Sequence, residues 1–412
     1  MPWSIVLMLS ATATASYICR VNVSTAAPLL MSEFHLDQVA MGRVFSAFLL
    51  GYALFQIPAG MLADRWGAKK ILAVSAWLWI GFTVVQVMVG WGPFQGMAAS
   101  AFIAFLALRF FLGISESPTF PGSAQGVSRW VLPPLQGRAN GMVIAAVGLG
   151  SAIAPPLVSN IMVHWGWRPA ILASAIPALI IAFIWLWIKQ PQVVNYQSIP
   201  HSADVQAEKK EKLSHLANPS FILLTISYTL QGYVGYIFVS WFYVYLVQER
   251  HFGLLSGAWM SSLPWILSIL SIPLGGLISD RLAAGRIGQK WGRRIVPIVG
   301  MGLSGIMISI GAHTSSAVMA AISLAFATAL VLCVEGPFWA TMMSIAGKQS
   351  GTAGGIMNMG SNIGGFISPA LTPLIAVYIG WENALHVAAV LSITAALLWL
   401  GIKPGRLADL SK

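Results

Sequence analysis

The sequence predicts an all-α membrane protein with twelve transmembrane helices in two six-helix halves. Of its 412 residues, 57% are hydrophobic and only 8% are charged, whereas soluble domains are usually about 25% charged. The apolar runs are continuous, as in membrane helices, and do not alternate with polar residues as membrane β-strands do. In addition, the chain contains an internal repeat with a period of about half its length.

Twelve apolar segments are long enough to cross a bilayer, which takes about 20 residues of helix. The predicted spans are 3–31, 39–63, 71–90, 97–123, 139–161, 169–188, 219–247, 257–279, 295–312, 317–345, 351–377 and 384–402. Between the sixth and seventh spans, the hydrophilic residues 189–218 predict a solvated linker. The predicted organisation is a first half at 1–188, this linker, and a second half at 219–412.

The basic residues predict the orientation of the spans. Most of the 23 lysines and arginines lie in loops that follow even-numbered spans, in the linker, or near the C-terminus. By the positive-inside rule, these parts of the chain face the cytoplasm, and so do both termini. The net charge of +11 is therefore explained by topology, and no binding to nucleic acid is expected.

The internal repeat relates the two halves in parallel. The segment that begins at Gly137 aligns without gaps with the segment that begins at Gly351, and both contain G-x-A-x-G, a later glycine and a closing proline. Transporters built from parallel six-helix repeats hold their substrate near the membrane midplane, between the halves. The repeat therefore predicts alternating access, but it says nothing about the substrate.

The loops after spans 2 and 8 share a second pattern. They read GMLADRWGAKK from Gly60 and GGLISDRLAAGRIGQKWGRRI from Gly275. This pattern resembles the signature of the major facilitator superfamily, which implies two six-helix halves around a central cavity. We expect Gly60 to allow close helix packing. The acidic and basic residues of these loops are expected to form gating contacts at the cytoplasmic face: Asp64, Arg65, Asp280 and Arg281.

Further motifs resemble those of the anion:cation symporter family. They are YICRVNVSTAAPLL at 17–30, SAFLLGYALFQIPAG at 46–60, LRFFLGISESPTFPG at 108–122, GPFWATM at 336–342, and the segment 351–369. The resemblance covers nearly the whole chain and includes galactonate and hexuronate transporters, sialin and the vesicular glutamate transporters. It implies a proton-coupled symporter that takes up a small organic anion, such as a sugar acid, across a bacterial inner membrane.

Four charged residues lie deep inside predicted spans: Arg20, Arg109, Glu116 and Glu335. A charge in the bilayer is costly and usually marks a functional site. A guanidinium can bind a carboxylate through two parallel hydrogen bonds, and by resemblance Arg20 matches the substrate-binding arginine of the family. The alternative for Arg20 is an internal salt bridge to a glutamate when the site is empty.

Arg109 and Glu116 are seven residues apart, on one face of span 4. By resemblance, they belong to the proton-coupling network. Burial disfavours the charged form of a carboxylate and a nearby arginine favours it, so a Glu116 that changes partners could act as a proton switch. A static ion pair is the alternative. Glu335 could be a second proton site, a group that binds a cationic part of the substrate, or a local lock.

Polar and aromatic residues complete the predicted substrate site. By resemblance, Tyr52 faces the substrate from span 2. Asn358 and Asn362 are four residues apart on one face of span 11 and could bind hydroxyls or a carboxylate. Trp339 of span 10 could stack on a ligand, and Tyr236 of span 7 is a further candidate. Packing against lipid or protein is the alternative for each aromatic residue.

Two residues depart from the family pattern. Cys19 stands where relatives commonly have an aspartate before the arginine of span 1, and a thiol in an apolar site stays neutral. We therefore expect Glu116, together with Glu335, to carry the coupling. Val147 stands where sugar-acid transporters often have a glutamine, which argues mildly against a heavily hydroxylated substrate.

No other class of function is favoured by the remaining signals. There is no catalytic triad, metal cluster or nucleotide-binding motif, so no enzyme and no cofactor are expected, and His386 is expected to be a packing residue. We expect a monomer coupled to protons, with sodium left open as the coupling ion. An anion exchanger is the main alternative, although organophosphate exchangers commonly pair arginines of spans 1 and 7, and span 7 has none. A receptor without net flux is a remoter alternative.

Overall fold

The protein is a bundle of α-helices in a computed structural model that describes residues 2–90, 98–188, 218–347 and 350–404. Within these ranges the regular structure consists of helices. They are α1 (Pro2–Glu33), α2 (Gln38–Trp66), α3 (Ala68–Val87), α4 (Ala98–Glu116), α5 (Thr119–Trp130), α6 (Pro133–Trp165), α7 (Trp167–Ser174), α8 (Ile176–Trp187), α9 (Pro219–Ser240), α10 (Phe242–Gln248), α11 (Leu254–Ala284), α12 (Gly288–His313), α13 (Ala317–Leu332), α14 (Glu335–Ala346) and α15 (Ser350–Leu398).

The helices combine into membrane spans. Among the described residues, 11 helical segments are long and apolar enough to cross a bilayer, and some of them combine two of these helices. The last of them contains predicted spans 11 and 12, which follow each other without a loop because Gly380 takes a positive φ of 88° and bends the helix. Glycine adopts this conformation at little cost. The all-α prediction is confirmed for the described residues, and the boundary between the last two spans is a bend at Gly380.

The predicted linker at 189–218 lies outside the described residues, except for Asn218. The side chain of Asn218 accepts a hydrogen bond from the Ser220 N–H and so caps α9. The predicted division into two halves and a linker stays a prediction. We refer to residues 2–188 as the first half and to residues 218–404 as the second half.

Three apolar clusters show where the two halves meet. One cluster contains buried residues of both halves, among them Phe34 and Phe45 of the first half and Trp241 and Trp381 of the second. The buried members of another cluster all belong to the first half, and those of a third all belong to the second half. The halves therefore share a core over only part of their length.

The shared core lies at the end of the bundle that contains the N-terminus of α2. There the Trp381 indole N–H donates to Gln38 Oε1 at 3.1 Å. Deeper along α2, the Ser46 hydroxyl donates to the Phe366 carbonyl at 2.7 Å. These bonds join α2 of the first half to α15 of the second.

The opposite end of the bundle contains Asp64 and Asp280. In the described parts of the chain, no hydrogen bond or ion pair between the halves lies nearer to that end of α2 than the bonds of Gln56. At the other end, α2 and α15 approach so closely that a methyl group on Gly42 would lie 2.2 Å from the Pro369 carbonyl oxygen. The bundle is therefore closed at the end away from Asp64 and Asp280.

Candidate functional site

A buried ion pair joins α1 to the end of α4. Arg20 donates from Nε to Glu116 Oε1 at 2.9 Å, and its Nη2 lies 2.7 Å from the same oxygen. Ser16, one turn before Arg20, also donates to this oxygen, at 3.0 Å. Arg20 is 4% exposed and Glu116 is 1% exposed, so water screens the pair little. This is the internal salt bridge that the sequence left as the alternative for Arg20.

Three aromatic rings surround the guanidinium of Arg20. Its central carbon lies 4.3 Å from the centre of the Tyr17 ring and 4.8 Å from the centres of the Phe48 and Tyr52 rings. Arg20 Nη1 also donates to the Tyr17 hydroxyl at 3.0 Å. Such contacts stabilise a cation that has lost its water. The structure thus brings the predicted Tyr52 to Arg20, and it adds Tyr17, whose position one turn before Arg20 was the available signal.

Arg109 lies against the backbone of Arg20 and not beside Glu116. Its Nη2 donates to the Arg20 carbonyl at 3.1 Å, and its guanidinium lies 4.7 Å from the centre of the Phe48 ring. Among the described residues, no salt bridge joins Arg109 to Glu116. Arg109 Nε and Nη1 and Glu116 Oε2 are buried and have no hydrogen-bond partner in the described protein. Unused donors and an unused acceptor therefore remain next to the ion pair.

Glu335 has a corresponding place in the second half. Glu116 ends α4 and Glu335 begins α14, and a Glu-x-Pro sequence marks both helix breaks. Glu335 Oε2 accepts a hydrogen bond from the Tyr228 hydroxyl, and Oε1 accepts one from Gln231 Nε2, each at 2.9 Å. Among the described residues, Glu335 has no salt bridge. Neutral donors therefore hold Glu335, whereas an arginine holds Glu116.

Two further candidates of the second half lie next to these groups. The Trp339 side chain is 36% exposed, and its ring stands edge-on to that of Tyr228 at 6.5 Å. Trp339 is thus a neighbour of the residue that binds Glu335. Tyr236 packs against the apolar cluster of the first half that includes Phe48 and Tyr52, so a second-half tyrosine lies beside the aromatic surroundings of Arg20.

A polar link joins Tyr52 to α15. Gln56 Nε2 donates to the Tyr52 hydroxyl at 3.2 Å. Gln56 Oε1 accepts hydrogen bonds from Asn358 Nδ2 at 3.2 Å and from Asn362 Nδ2 at 3.3 Å. The two asparagines share one face, as their spacing predicts. Sequence reasoning missed Gln56, although it lies one turn after Tyr52 and is polar within an apolar span.

The predicted gating residues lie at the open end of the bundle. Asp280 pairs with Arg293 of its own half. In the described ranges, no ion pair crosses from one half to the other. A methyl group on Gly60 would meet only Pro121 Cβ, at an ordinary 3.8 Å, so in this arrangement Gly60 is not needed for close packing. The other gating residues are exposed: Asp64, Arg65 and Arg281.

Comparison with known proteins identifies the family. The family model of the Major Facilitator Superfamily matches residues 9–287 and 281–411. The chain belongs to the major facilitator superfamily. It is 32% identical over 369 residues to "Probable sulfoacetate transporter SauU" of Cupriavidus necator, which covers 86% of this chain and 83% of that protein. It is 31% identical to "Probable galactarate/D-glucarate transporter GudP" of Bacillus subtilis, over 96% of this chain and 90% of that one.

Solved structures support the same fold for this major facilitator protein. A bacterial homologue of the human lysosomal transporter Spinster, inward-facing and unoccupied, matches with a TM-score of 0.80 and 17% identity, over 97% of this chain and 96% of that one. A D-xylose-proton symporter matches with a TM-score of 0.78 and 16% identity, over 98% of each chain. The predicted major facilitator fold is confirmed.

Membership of this superfamily makes the protein a multi-pass membrane transporter and not an enzyme, as the sequence predicts. A further relative is the "Hexuronate transporter" of Bacillus subtilis, at 28% identity over 95% of this chain and 92% of that one. The relatives are transporters of sugar acids and other organic anions, so the resemblance stated from the sequence is confirmed.

Proposed function

We propose that this transporter is a proton-coupled symporter that takes up a small organic anion across a bacterial inner membrane. One observation carries the proposal: the arginine best placed to bind a carboxylate is neutralised by Glu116, a buried carboxylate that can take a proton. Arg20 and Glu116 are in direct contact and shielded from water. The anion and the ionised Glu116 would therefore compete for the same guanidinium.

This competition provides the coupling. Nε and Nη2 of Arg20 both lie against Glu116 Oε1, and this edge of a guanidinium binds carboxylates through two parallel hydrogen bonds. A proton on Glu116 removes its charge and releases Arg20 to the carboxylate of the anion. When the anion leaves, Arg20 regains Glu116 and the proton departs. The anion and the proton would therefore cross the membrane together.

The deep charges of the first half also favour an anion. Two arginines, Arg20 and Arg109, lie deep in this half together with one glutamate, so its buried charges leave an excess of positive charge even when Glu116 is ionised. Protonation of Glu116 increases that excess. Glu335, which is held only by neutral donors, would serve as a second proton site.

The substrate in this proposal is a carboxylate such as a sugar acid. Relatives of this chain are named for galactarate and D-glucarate, hexuronate and sulfoacetate, all of which are acids. The amide groups of Gln56, Asn358 and Asn362 could bind hydroxyls or a second acidic group. Trp339 could stack on the carbon skeleton.

Transport into proteoliposomes tests the proposal. The purified protein is reconstituted, an inward proton gradient is imposed, and uptake of labelled galactarate, glucarate, hexuronates and sulfoacetate is measured. We expect one of these acids to accumulate only with the gradient. Glu116→Gln should abolish accumulation but retain anion exchange, whereas Arg20→Ala should abolish both. The exposed Glu249→Gln serves as the matched control and should transport like the wild type.

The same assay distinguishes the proposed symporter from the alternative, an anion exchanger. Uptake that ignores the proton gradient and requires an anion inside the liposomes would identify an exchanger, and the roles assigned to Glu116 and Glu335 would then be wrong.

A further inference from the structure

Two histidines and a glutamate meet on the surface of the second half. His313 ends α12, and Glu382 and His386 lie one turn apart in the part of α15 that follows Gly380. His313 Nδ1 lies 2.7 Å from Glu382 Oε1, and His386 Nε2 lies 3.8 Å from the same oxygen. Neither the proposed coupling nor the predicted gates use these residues.

Each of the three side chains offers one nitrogen or oxygen atom as a possible metal ligand. These atoms all lie within 4.8 Å of one another. The sequence predicts a packing role for His386, and its ring does stand 5.7 Å from that of His313. The structure adds Glu382 between them, and this carboxylate could not be associated with His313 from a separation of 69 residues.

The backbone around this cluster is held in place. A methyl group on Gly305 of α12 would lie 2.8 Å from the carbonyl oxygen of Ala389, one turn after His386, so α12 and α15 pack closely. Arg250 donates to three carbonyls at the end of α12, at 2.7 to 2.9 Å: Gly311, Ala312 and Thr314. These carbonyls would otherwise lack partners at a helix end. A ligand would therefore need only small side-chain movements.

We propose that His313, Glu382 and His386 form a binding site for a divalent transition-metal ion, represented by Zn²⁺. Zinc binds imidazole nitrogen and carboxylate oxygen at about 2.0–2.2 Å, so tetrahedral ligand atoms lie roughly 3.3 Å apart. The two observed separations, 2.7 and 3.8 Å, lie on either side of this distance. All three side chains are at least partly exposed, which leaves the fourth position to water.

The ligand set also selects among cations. Magnesium and calcium prefer sites made wholly of oxygen atoms, whereas imidazole suits zinc, copper and nickel. Glu382 supplies one negative charge, and the C-terminal end of α12 adds partial negative charge beside His313. Arg250, bound to that helix end, offsets part of the attraction.

The position of the site suggests where a bound ion acts. Glu382 follows Trp381, which bonds to Gln38 of the first half. The three ligands belong to α12 and α15, which are both in the second half. Zinc would therefore join two helices next to the closed end of the bundle and raise the thermal stability of the protein.

Titration calorimetry on the full chain, with any affinity tag removed, tests the site. We expect saturable binding of one Zn²⁺ per chain and none of Mg²⁺. His313→Ala, His386→Ala and Glu382→Gln should each weaken zinc binding by about tenfold or more, because each removes one of three ligands or its charge. His164→Ala, an exposed histidine of α6, is the matched control and should bind zinc like the wild type.

Thermal unfolding provides the second readout. Without metal, the ligand variants should melt close to the wild-type temperature, because the replaced side chains are at least partly exposed. Zinc should then stabilise the wild type and His164→Ala only. Absence of saturable zinc binding to the wild type would overturn the site. Equal binding by the wild type and the double variant His313→Ala, His386→Ala would overturn it as well. Neither result bears on proton coupling, since transport is not measured.

Discussion

At the scale of single residues, Arg20 is the centre of the candidate site. Its guanidinium contacts Glu116, Tyr17 and Tyr52 and also touches Phe48. The sequence places a charge inside a span and so predicts that this charge has a partner. Which partner it has does not follow from the sequence, because Arg109 is the arginine closer to Glu116 along the chain. Arg20 holds Glu116 because α1 passes the end of α4.

Replacing Arg20 with lysine should reduce substrate affinity strongly. A lysine has a single compact ammonium and cannot present the planar pair of donors that Arg20 directs at a carboxylate. We expect Arg20→Lys to raise the KM of uptake by about tenfold or more, since one charge-assisted hydrogen bond contributes about 1.5–3 kcal/mol. Arg43→Lys, at an exposed position of α2, should leave KM unchanged. An unaltered KM in Arg20→Lys would exclude direct anion binding by this residue.

Substitution of Glu335 distinguishes two of the roles left open by the sequence, a proton site and a local lock. Glu335→Gln keeps the shape of the side chain and removes its charge. If Glu335 is a proton site, the Glu335→Gln variant should lose gradient-driven accumulation and keep anion exchange. Tyr228→Phe removes one donor to the carboxylate but leaves the carboxylate itself, so accumulation should persist with a changed pH dependence. Full accumulation in Glu335→Gln, measured in the same proteoliposomes, would instead favour a local lock.

At the scale of helices, the contact between α2 and α4 positions the aromatic surroundings of Arg20. The two backbones approach so closely that a methyl group on Gly113 would lie 2.0 Å from the Phe48 carbonyl oxygen. Phe48 in turn stands against both Arg20 and Arg109. Small residues at helix interfaces are the usual means of such packing in membranes. The sequence contains the glycine, but only the structure shows that it faces α2.

Gly113→Ala should therefore destabilise the protein. The added methyl group overlaps backbone atoms, which cannot move as the tip of a side chain can. We therefore expect the free energy of unfolding to fall by about 1–3 kcal/mol. Gly81→Ala is the matched control, because a methyl group at that helical glycine would meet nothing within 4 Å. The thermal unfolding midpoint in detergent should fall for Gly113→Ala only. Equal midpoints for the two variants would contradict the close contact.

At the scale of the whole molecule, the two halves are joined at one end of the bundle. The shared apolar core and the bonds of Gln38 and Ser46 lie away from Asp64 and Asp280. Among the described residues, no ion pair includes Asp64, and Asp280 pairs within its own half. Both observations fit this arrangement. We expect the gating contacts predicted from the sequence to form in the opposite state of the cycle.

Cysteine labelling tests which end is open. Asn358→Cys is introduced into a chain whose own cysteines, Cys19 and Cys333, are replaced by alanine. An impermeant maleimide should react from the side of the Asp64 and Asp280 loops, because the far end is closed. Adding Gly42→Leu should allow labelling from the far side as well, since Gly42 lies against Pro369.

The labelling assay has a matched control of the same size at another glycine. Gly81→Leu adds the same bulk where nothing is in contact and should not change the labelled side. Labelling of Asn358→Cys from the far side without the Gly42 substitution would show that the closed end is assigned wrongly.

The sequence by itself determined the membrane class, the all-α fold, the family and the deep charged residues. Hydropathy is a local property, and a charge in lipid is costly wherever it occurs, so both can be recognised without a fold. The tertiary structure alone decided which groups are partners: Arg20 with Glu116, Gln56 with the two asparagines of α15, and His313 with Glu382 and His386. These partners are far apart along the chain, and only the packing of helices against one another brings them together.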